Sequence, residues 1–247
     1  MAHNSDISPD GSPWKATVLT LFPDAFPGVL GASIIGTALK DEKWSLEAID
    51  IRKFSGNKHR TVDETPAGGG PGMVLKPDVS AKAIDAVARD HNGQTRPLLY
   101  LTPRGTPLTQ KRVRELAAGT GVVLFCGRFE GLDERVIEAR EMEEVSIGDF
   151  VLAGGEVAGQ ALIEACVRLL PGVLGDEAST VEESFEDGLL EYPLYAKPRE
   201  WEGRKIPDVL LSGDHGAIGR WRREKSEDVT RKRRPDLWEK HREGKKE

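Results

Sequence analysis

The sequence contains few cysteines and no long apolar run. Of its 247 residues only Cys126 and Cys166 are cysteines, and they are far apart, without CxxC spacing. They predict neither a zinc site nor a disulfide framework, and they fit a reducing compartment. No stretch approaches the roughly 18 consecutive apolar residues of a membrane helix, and the first thirteen residues lack the apolar segment of a signal peptide. We therefore expect a cytoplasmic protein that does not associate with membranes.

Several catalytic motifs are also missing. There is no GxGxxG dinucleotide fingerprint, no HExxH metal motif and no GxSxG nucleophile elbow. Gly31 and Gly36 have the spacing of P-loop glycines, but Thr37 occupies the position of the essential lysine. The sequence therefore does not indicate a nucleotide triphosphatase, and it predicts no set of metal ligands.

Charges of opposite sign predominate in different parts of the chain. The net charge is −6, yet the residues from Lys197 onward contain 16 Lys and Arg against 11 Asp and Glu. Residues 1–196 contain 19 Lys and Arg against 30 Asp and Glu. An acidic body with a basic tail indicates a surface for a polyanion, although a solvated helical face also explains any single basic cluster.

Segments typical of strands and helices alternate as far as Leu170. This order predicts an α/β domain with a mostly parallel sheet covered on both faces, and ligands bind such sheets at the carboxyl ends of the strands. The predicted strands are Lys15–Leu21, Trp44–Ile51, Pro97–Leu101 and Val122–Cys126. The predicted helices are Val29–Lys40, one after Pro77, Thr109–Leu116, Leu132–Arg140 and one beginning near Glu156. The strand ends carry Tyr100–Arg104, Gly127–Gly131 and Ile147–Phe150.

Glycines mark two segments of the predicted domain. Gly148, Gly154 and Gly155 lie where a strand or loop passes into a helix, which favours either a nucleotide-like ligand or plain tight turns. The long irregular segment Arg52–Met73 combines polar residues with a glycine-rich run, Gly68–Gly72. A loop of this length favours a substrate-facing role, and an ordinary flexible excursion is the alternative.

Linker composition follows the long helix. Gly175–Asp187 is polar, acidic and without apolar periodicity, so a domain boundary is expected there. Beyond it, Asp214 is a candidate helix cap and a last helix is expected near Pro235–His241. The predicted organisation is an N-terminal extension (1–14), a catalytic domain (15–174), a linker (175–187) and a small helical domain (188–247).

Taken on their own, two groups of charges suggest only a solvated surface. Gln160, Glu164 and Arg168 recur at a spacing of four, so Arg168 is expected to form a surface ion pair with Glu164. Glu182 and Glu183 belong to the acidic linker.

Six blocks in the same order resemble the bacterial tRNA (guanine-N1)-methyltransferase family, which modifies position 37 next to the anticodon. The resemblance covers about Lys15 to Arg234. The blocks are Gly68–Met73, Leu124–Arg135, Ser146–Glu156, Pro171–Leu174, Ser184–Phe185 and Gly188–Pro193.

The resemblance implies a SPOUT-like α/β fold with a deep C-terminal trefoil knot, a rare exception to the rule against threaded chains. It further implies that the knot holds S-adenosyl-L-methionine in a bent conformation. A homodimer is implied as well, with active sites at the interface that the partner's linker and helical domain complete. The cofactor-binding residues that it implies are Tyr100, Leu101, Pro103, Gly127, Phe129, Glu130, Ser146, Ile147, Gly148, Asp149, Phe150, Val151, Leu152, Gly154 and Gly155.

The chemistry of guanine explains which catalytic groups methyl transfer to N1 requires. N1 carries a proton and is a poor nucleophile until a base removes it, while negative charge develops on O6. The resemblance assigns Arg168 to O6 in place of its surface ion pair, and it assigns the base to Glu183, where the family has Asp. Glu182 and Asp187 are the alternatives for the base.

The basic C-terminal region is expected to bind the anticodon stem-loop of tRNA and to read a flipped-out guanine. The family is associated with a dependence on Mg²⁺, but no cluster of ligands for this ion can be identified in the sequence. The alternatives to a guanine-N1 methyltransferase are a knotted RNA ribose 2′-O-methyltransferase and an RNA-binding relative without catalysis. The candidate tRNA-binding residues are His59, Arg60, Asp63, Gly72, Ser179, Lys197, Arg220 and Trp221.

Overall fold

The computed structural model of the protein describes residues 13–87, 96–175, 183–185 and 187–244. The chain forms two compact units, divided after Gly175. The first unit contains, in chain order, β1 (Trp14–Thr20), α1 (Ser33–Lys40), β2 (Trp44–Asp50), β3 (Asp63–Glu64), β4 (Val74–Leu75), α2 (Pro77–Asp85), β5 (Leu98–Pro107), α3 (Gln110–Ala117), β6 (Gly121–Cys126), α4 (Glu134–Ala139), β7 (Glu143–Ser146) and α5 (Glu156–Val167).

Five strands of the first unit form one parallel sheet in the order β2-β1-β6-β5-β7. Every residue of the central strand β6 is buried, as expected for a strand covered on both faces. Its residues alternate between two apolar clusters, with Val122 and Leu124 in one and Val123 and Phe125 in the other. The helices α1, α3 and α5 contribute to the first cluster, and α2 and α4 to the second. The prediction of an α/β domain with a parallel sheet is therefore confirmed.

The sheet contains a fifth strand, β7, beyond the four predicted strands, and two predicted elements have different bounds. The helix expected from Val29 is interrupted, because the 3-10 turn Gly28–Gly31 ends at an extended Ala32 before α1 begins. The strand expected to end at Leu101 continues to Pro107. It continues through an irregularity in which Leu101 and Thr106 both pair with Val145. The Pro and Gly residues after Leu101 thus mark a bulge inside β5.

The second unit is mainly helical. It contains a two-residue hairpin, β8 (Glu200–Trp201) with β9 (Arg204–Lys205), followed by α6 (His215–Arg233) and α7 (Pro235–Gly244). The predicted cap is confirmed, since Asp214 Oδ1 accepts a hydrogen bond of 2.9 Å from Ala217 N. Among the described residues, no helix has the length and apolar character required to cross a membrane.

A substitution at Gly121 tests how closely β6 packs against β1. Its φ is +136°, and a Cβ atom there would lie 2.0 Å from the carbonyl oxygen of its neighbour Lys15. We predict that Gly121→Ala lowers the free energy of unfolding by about 2–4 kcal/mol, measured by urea denaturation. Gly119→Ala is the matched control, because its Cβ would meet only Leu116 O at 3.5 Å. Equal losses in the two variants would contradict the prediction.

Candidate functional site

A cavity of about 340 Å³ lies beside the bulge of β5 and the carboxyl ends of β6 and β7. Its volume is within the roughly 300–1,000 Å³ typical of ligand pockets. Three segments provide most of its walls: residues 100–104, 127–132 and 145–155. All three follow or interrupt parallel strands, so the cavity lies where a parallel sheet is expected to bind a ligand.

The cavity brings together every residue that the resemblance assigned to the cofactor except Asp149. Phe150 N donates a hydrogen bond of 2.9 Å to Gly148 O, which closes a tight turn with Asp149 at its tip. Asp149 is therefore exposed and outside the lining. The lining residues that the sequence prediction missed are Thr102, Arg104, Arg128, Gly131, Leu132, Val145, Ala153 and Ala158.

Tyr100 organises the loop after β6. It is 5 % exposed, and its hydroxyl oxygen accepts a hydrogen bond of 3.1 Å from Leu132 N. Its ring occupies the space beside two glycines, since a Cβ would lie 2.9 Å from the ring at Gly127 and 2.7 Å from the hydroxyl at Gly131. Burial raises the pKa of Tyr100 above its ordinary value, so the hydroxyl stays protonated at neutral pH.

The glycines of residues 145–155 make room for the protein's own atoms. A Cβ at Gly154 would lie 2.2 Å from Arg128 Nε, and one at Gly155 would lie 2.8 Å from Cys126 Cα. Gly155 N also donates a hydrogen bond of 3.0 Å to Gly127 O. The loops after β6 and β7 therefore meet backbone to backbone along one wall of the cavity.

The glycine-rich segment lies beside the same loops. Glu130 N donates a hydrogen bond of 2.9 Å to Met73 O, and a Cβ at Gly72 would lie 2.3 Å from Glu130 Oε1. Gly72 is thus next to a residue that lines the cavity. His59 and Arg60 are exposed on the preceding loop, and Asp63 lies in β3.

Arg168 and Glu183 lie in different units. Arg168 is the half-buried residue that ends α5, and its backbone N–H donates to Glu164 O at 3.1 Å. Glu183 is half-buried at the start of the described part of the second unit. Glu182 and the predicted tRNA-binding residue Ser179 lie outside the described residues.

Asp187 has a defined structural contact. Its Oδ2 lies 2.9 Å from Arg223 Nη1 on α6, and its carbonyl oxygen lies 2.9 Å from His241 Nδ1 on α7. The carboxylate and the main chain of Asp187 are thus both held by the helices of the second unit.

Three predicted tRNA-binding residues lie in the described part of the second unit. Lys197 and Arg220 are exposed, and the half-buried Trp221 ring lies 6.2 Å from the Tyr195 ring. The same helix places the Arg231 guanidinium 4.7 Å from the Trp238 ring centroid. Guanidinium groups and aromatic rings together are suited to phosphates and bases.

Potential metal ligands and both cysteines occur in the part of the chain that the structure describes. Among the described residues, no group of three or more His, Cys, Asp or Glu side chains is arranged to hold a metal ion. Cys126 and Cys166 are both buried. Burial raises the pKa of Cys166 to about 12 and that of Cys126 well above its usual value, so both remain thiols at neutral pH.

The first unit belongs to the class of parallel α/β proteins, which bind their ligands at the carboxyl ends of the strands, and its glycine-walled cavity lies in that region. Residues 14–240 match the family model described as tRNA (Guanine-1)-methyltransferase TrmD. The chain therefore belongs to the tRNA (guanine-1)-methyltransferase family, which confirms the resemblance seen in the sequence.

Individual relatives agree with the family match. A tRNA (guanine-N(1)-)-methyltransferase of Rhodopseudomonas palustris strain BisB18 is 60 % identical over 94 % of this chain and 91 % of its own. Proteins with the same name are 59 % identical in Ruegeria pomeroyi, over 92 % of this chain and 93 % of theirs, and 61 % identical in Novosphingobium aromaticivorans, over 92 % of each.

Tyr100→Phe tests the role of the tyrosine hydroxyl. Without it, the buried Leu132 N–H loses its acceptor, so we predict a loss of about 1–3 kcal/mol in the free energy of unfolding at pH 7. Faster hydrogen exchange at the Leu132 amide is expected as well. Unchanged exchange would contradict this role.

The pH dependence of stability provides a separate test of the same hydroxyl. The folded-state pKa of Tyr100 is raised above 10.0, so its stabilising contribution is complete below the unfolded-state pKa and is lost as pH rises through the folded-state pKa. The wild type is therefore expected to lose stability more steeply than Tyr100→Phe above about pH 10. Parallel urea-denaturation profiles at alkaline pH would argue against it.

Proposed function

We propose that the chain transfers the methyl group of S-adenosyl-L-methionine to N1 of guanosine 37 in tRNA, acting in the cytoplasm. The observation that carries this proposal is the family match over residues 14–240. The cavity at the strand ends of the first unit supports it, because the residues assigned to the cofactor converge there.

The cavity suits S-adenosyl-L-methionine in size and composition. Its volume is about 340 Å³, and backbone groups and apolar side chains such as Leu101, Ile147 and Leu152 line it. Such walls can hold an adenine by main-chain hydrogen bonds and packing. When bound, the cofactor supplies an electrophilic methyl group on its sulfonium. We assign the trefoil knot to the chain around this cavity, and the contact of Gly155 with Gly127 supports that assignment.

Proton removal from guanine N1 is assigned to Glu183, and stabilisation of charge on O6 to Arg168. General-base catalysis contributes roughly 10²–10⁴-fold in rate, and a charged donor at a developing oxyanion contributes a similar amount. Asp187 pairs with Arg223 within the second unit, so its use as the base would require this contact to break.

The second unit is proposed to bind the anticodon stem-loop through Lys197, Arg220 and Trp221, with the linker joining it to the catalytic unit. We also propose a homodimer. Large apolar side chains near the cavity support it, since Phe150 is 52 % and Val151 is 84 % exposed and a subunit interface would cover them. Mg²⁺ dependence remains a prediction from the family, and no step is assigned to the ion.

The reaction can be tested with tRNA transcripts and S-adenosyl-L-methionine labelled on its methyl group. N1 methylation blocks Watson–Crick pairing, so we expect incorporation of label and a reverse-transcription stop at G37. Label without a stop would indicate a ribose 2′-O-methyltransferase. Binding of tRNA without label would indicate an RNA-binding relative without catalysis.

Glu183→Gln is predicted to lower kcat about 10²–10⁴-fold, because the amide cannot accept the N1 proton. The Kd for S-adenosyl-L-methionine, measured by calorimetry, should stay unchanged. Glu183→Asp restores the residue usual in the family and is the matched control, expected to retain most of the activity. If the Glu183→Gln variant turned over at the wild-type rate, the base would instead be assigned to Glu182 or Asp187.

Mixed dimers test whether one active site uses both chains. Arg168→Ala and Glu183→Gln are each expected to be nearly inactive alone. If Arg168 of one chain works with the partner's Glu183, subunit exchange produces dimers with one intact site, and activity reappears. If both residues act from one chain, every site in the mixed dimer lacks one of them, so the absence of recovery would refute the interfacial site.

A further inference from the structure

A buried carboxylate lies directly behind one wall of the cavity. Glu156, the first residue of α5, is 3 % exposed and does not line the cavity. Its Oε2 lies 2.9 Å from Arg128 Nη2, and its Oε1 accepts a hydrogen bond of 2.7 Å from Thr20 Oγ1. A buried charge is costly unless its partners stay in place, so this carboxylate constrains both of them.

Arg128 connects this carboxylate to the wall. Its Nη1 donates a hydrogen bond of 3.2 Å to Ala153 O, and its guanidinium lies 4.4 Å from the centroid of the Phe22 ring. Its Nε occupies the space that a side chain at Gly154 would fill. Because Arg128, Ala153 and Gly154 all line the cavity, the position of the arginine determines the shape of this wall.

Thr20 connects the carboxylate to the sheet. It is the last residue of β1, and it is fully buried. Besides donating to Glu156, its Oγ1 accepts a hydrogen bond of 2.9 Å from Phe22 N. The hydroxyl thus contacts both the carboxylate and the backbone of Phe22, the residue whose ring lies under Arg128. Three segments distant in sequence are thereby held together behind the cavity.

We propose that Glu156 and Thr20 are positioning residues for S-adenosyl-L-methionine, acting through Arg128 on the wall formed by residues 153–155. This inference rests on the proposed function, since it takes that cofactor as the ligand of the cavity. Glu156 and Thr20 do not line the cavity. Their effect is to keep the backbone of residues 153–155 in the geometry that binds the cofactor. A small displacement of such a wall weakens binding even when the protein remains folded.

Two substitutions test the proposal on the full-length chain. Thr20→Val keeps the side-chain shape and removes the hydroxyl, and Glu156→Gln removes the charge. Thr20→Ser restores the hydroxyl and is the conservative rescue. Asp85→Asn is the matched control, because Asp85 pairs with Arg140 through contacts of 2.7 and 2.8 Å and neither residue lines the cavity.

Binding of S-adenosyl-L-methionine is measured by calorimetry at a temperature where circular dichroism shows every variant to be folded. We expect the Kd to rise about 10- to 100-fold in Thr20→Val and Glu156→Gln, the effect of losing a charge-assisted hydrogen bond. Thr20→Ser and Asp85→Asn should bind as the wild type does. In methyl-transfer assays, KM for the cofactor should rise while kcat at saturating cofactor changes little.

A folded Thr20→Val variant with wild-type affinity would overturn the proposal. If Glu156→Gln does not fold, the comparison of Thr20→Val with Thr20→Ser decides the outcome alone. An Asp85→Asn variant that weakens binding equally would also overturn it, because the effect would then follow from the loss of any ion pair. Wild-type protein that does not bind the cofactor would instead refute the proposed function on which the inference rests.

Discussion

Backbone contact between the loops after β6 and β7 is the constraint on which the cavity depends. Gly155 donates its N–H to Gly127 O, and a side chain at Gly155 would meet Cys126 Cα at 2.8 Å. Only residues without a Cβ permit this approach. The two loop backbones are thereby fixed against each other in this wall. A ligand that binds beside them needs little ordering of the backbone, which reduces the entropy lost on binding.

The sheet and most helices of the first unit were predictable because apolar periodicity reports burial directly. All six residues of β6 are buried, and the sequence pattern of Val122–Cys126 shows this without further information. The continuation of β5 was not predictable. Pro103 and Gly105 resemble signals for the end of a strand, yet the chain resumes pairing with Val145 at Thr106. Whether such residues end a strand or form a bulge depends on the neighbouring strand, which local sequence does not describe.

The lining of the cavity was largely anticipated from the family resemblance, whereas the groups behind it were not. Arg128 lies between predicted cofactor residues, but a charged residue in a loop is usually solvated. Its partners Phe22 and Glu156 are far away in sequence, so their contact appears only in the folded chain. The sequence likewise offered Asp187 as an alternative base without indicating its contact. In the folded chain Asp187 pairs with Arg223 on α6.

Glu183, the base that we propose, is one methylene longer than the aspartate that the family resemblance implies at this position. The chain after Glu183 is held by hydrogen bonds from Phe185 N to Leu189 O at 2.7 Å and from Glu191 N to Ser184 Oγ at 3.0 Å. The added methylene costs at most about 1 kcal/mol of rotamer entropy on ordering. General-base catalysis of 10²–10⁴-fold corresponds to about 2.7–5.4 kcal/mol. The rotamer entropy of the added methylene is therefore smaller than the rate contribution that the proposed base would make, and the longer side chain is compatible with the proposal.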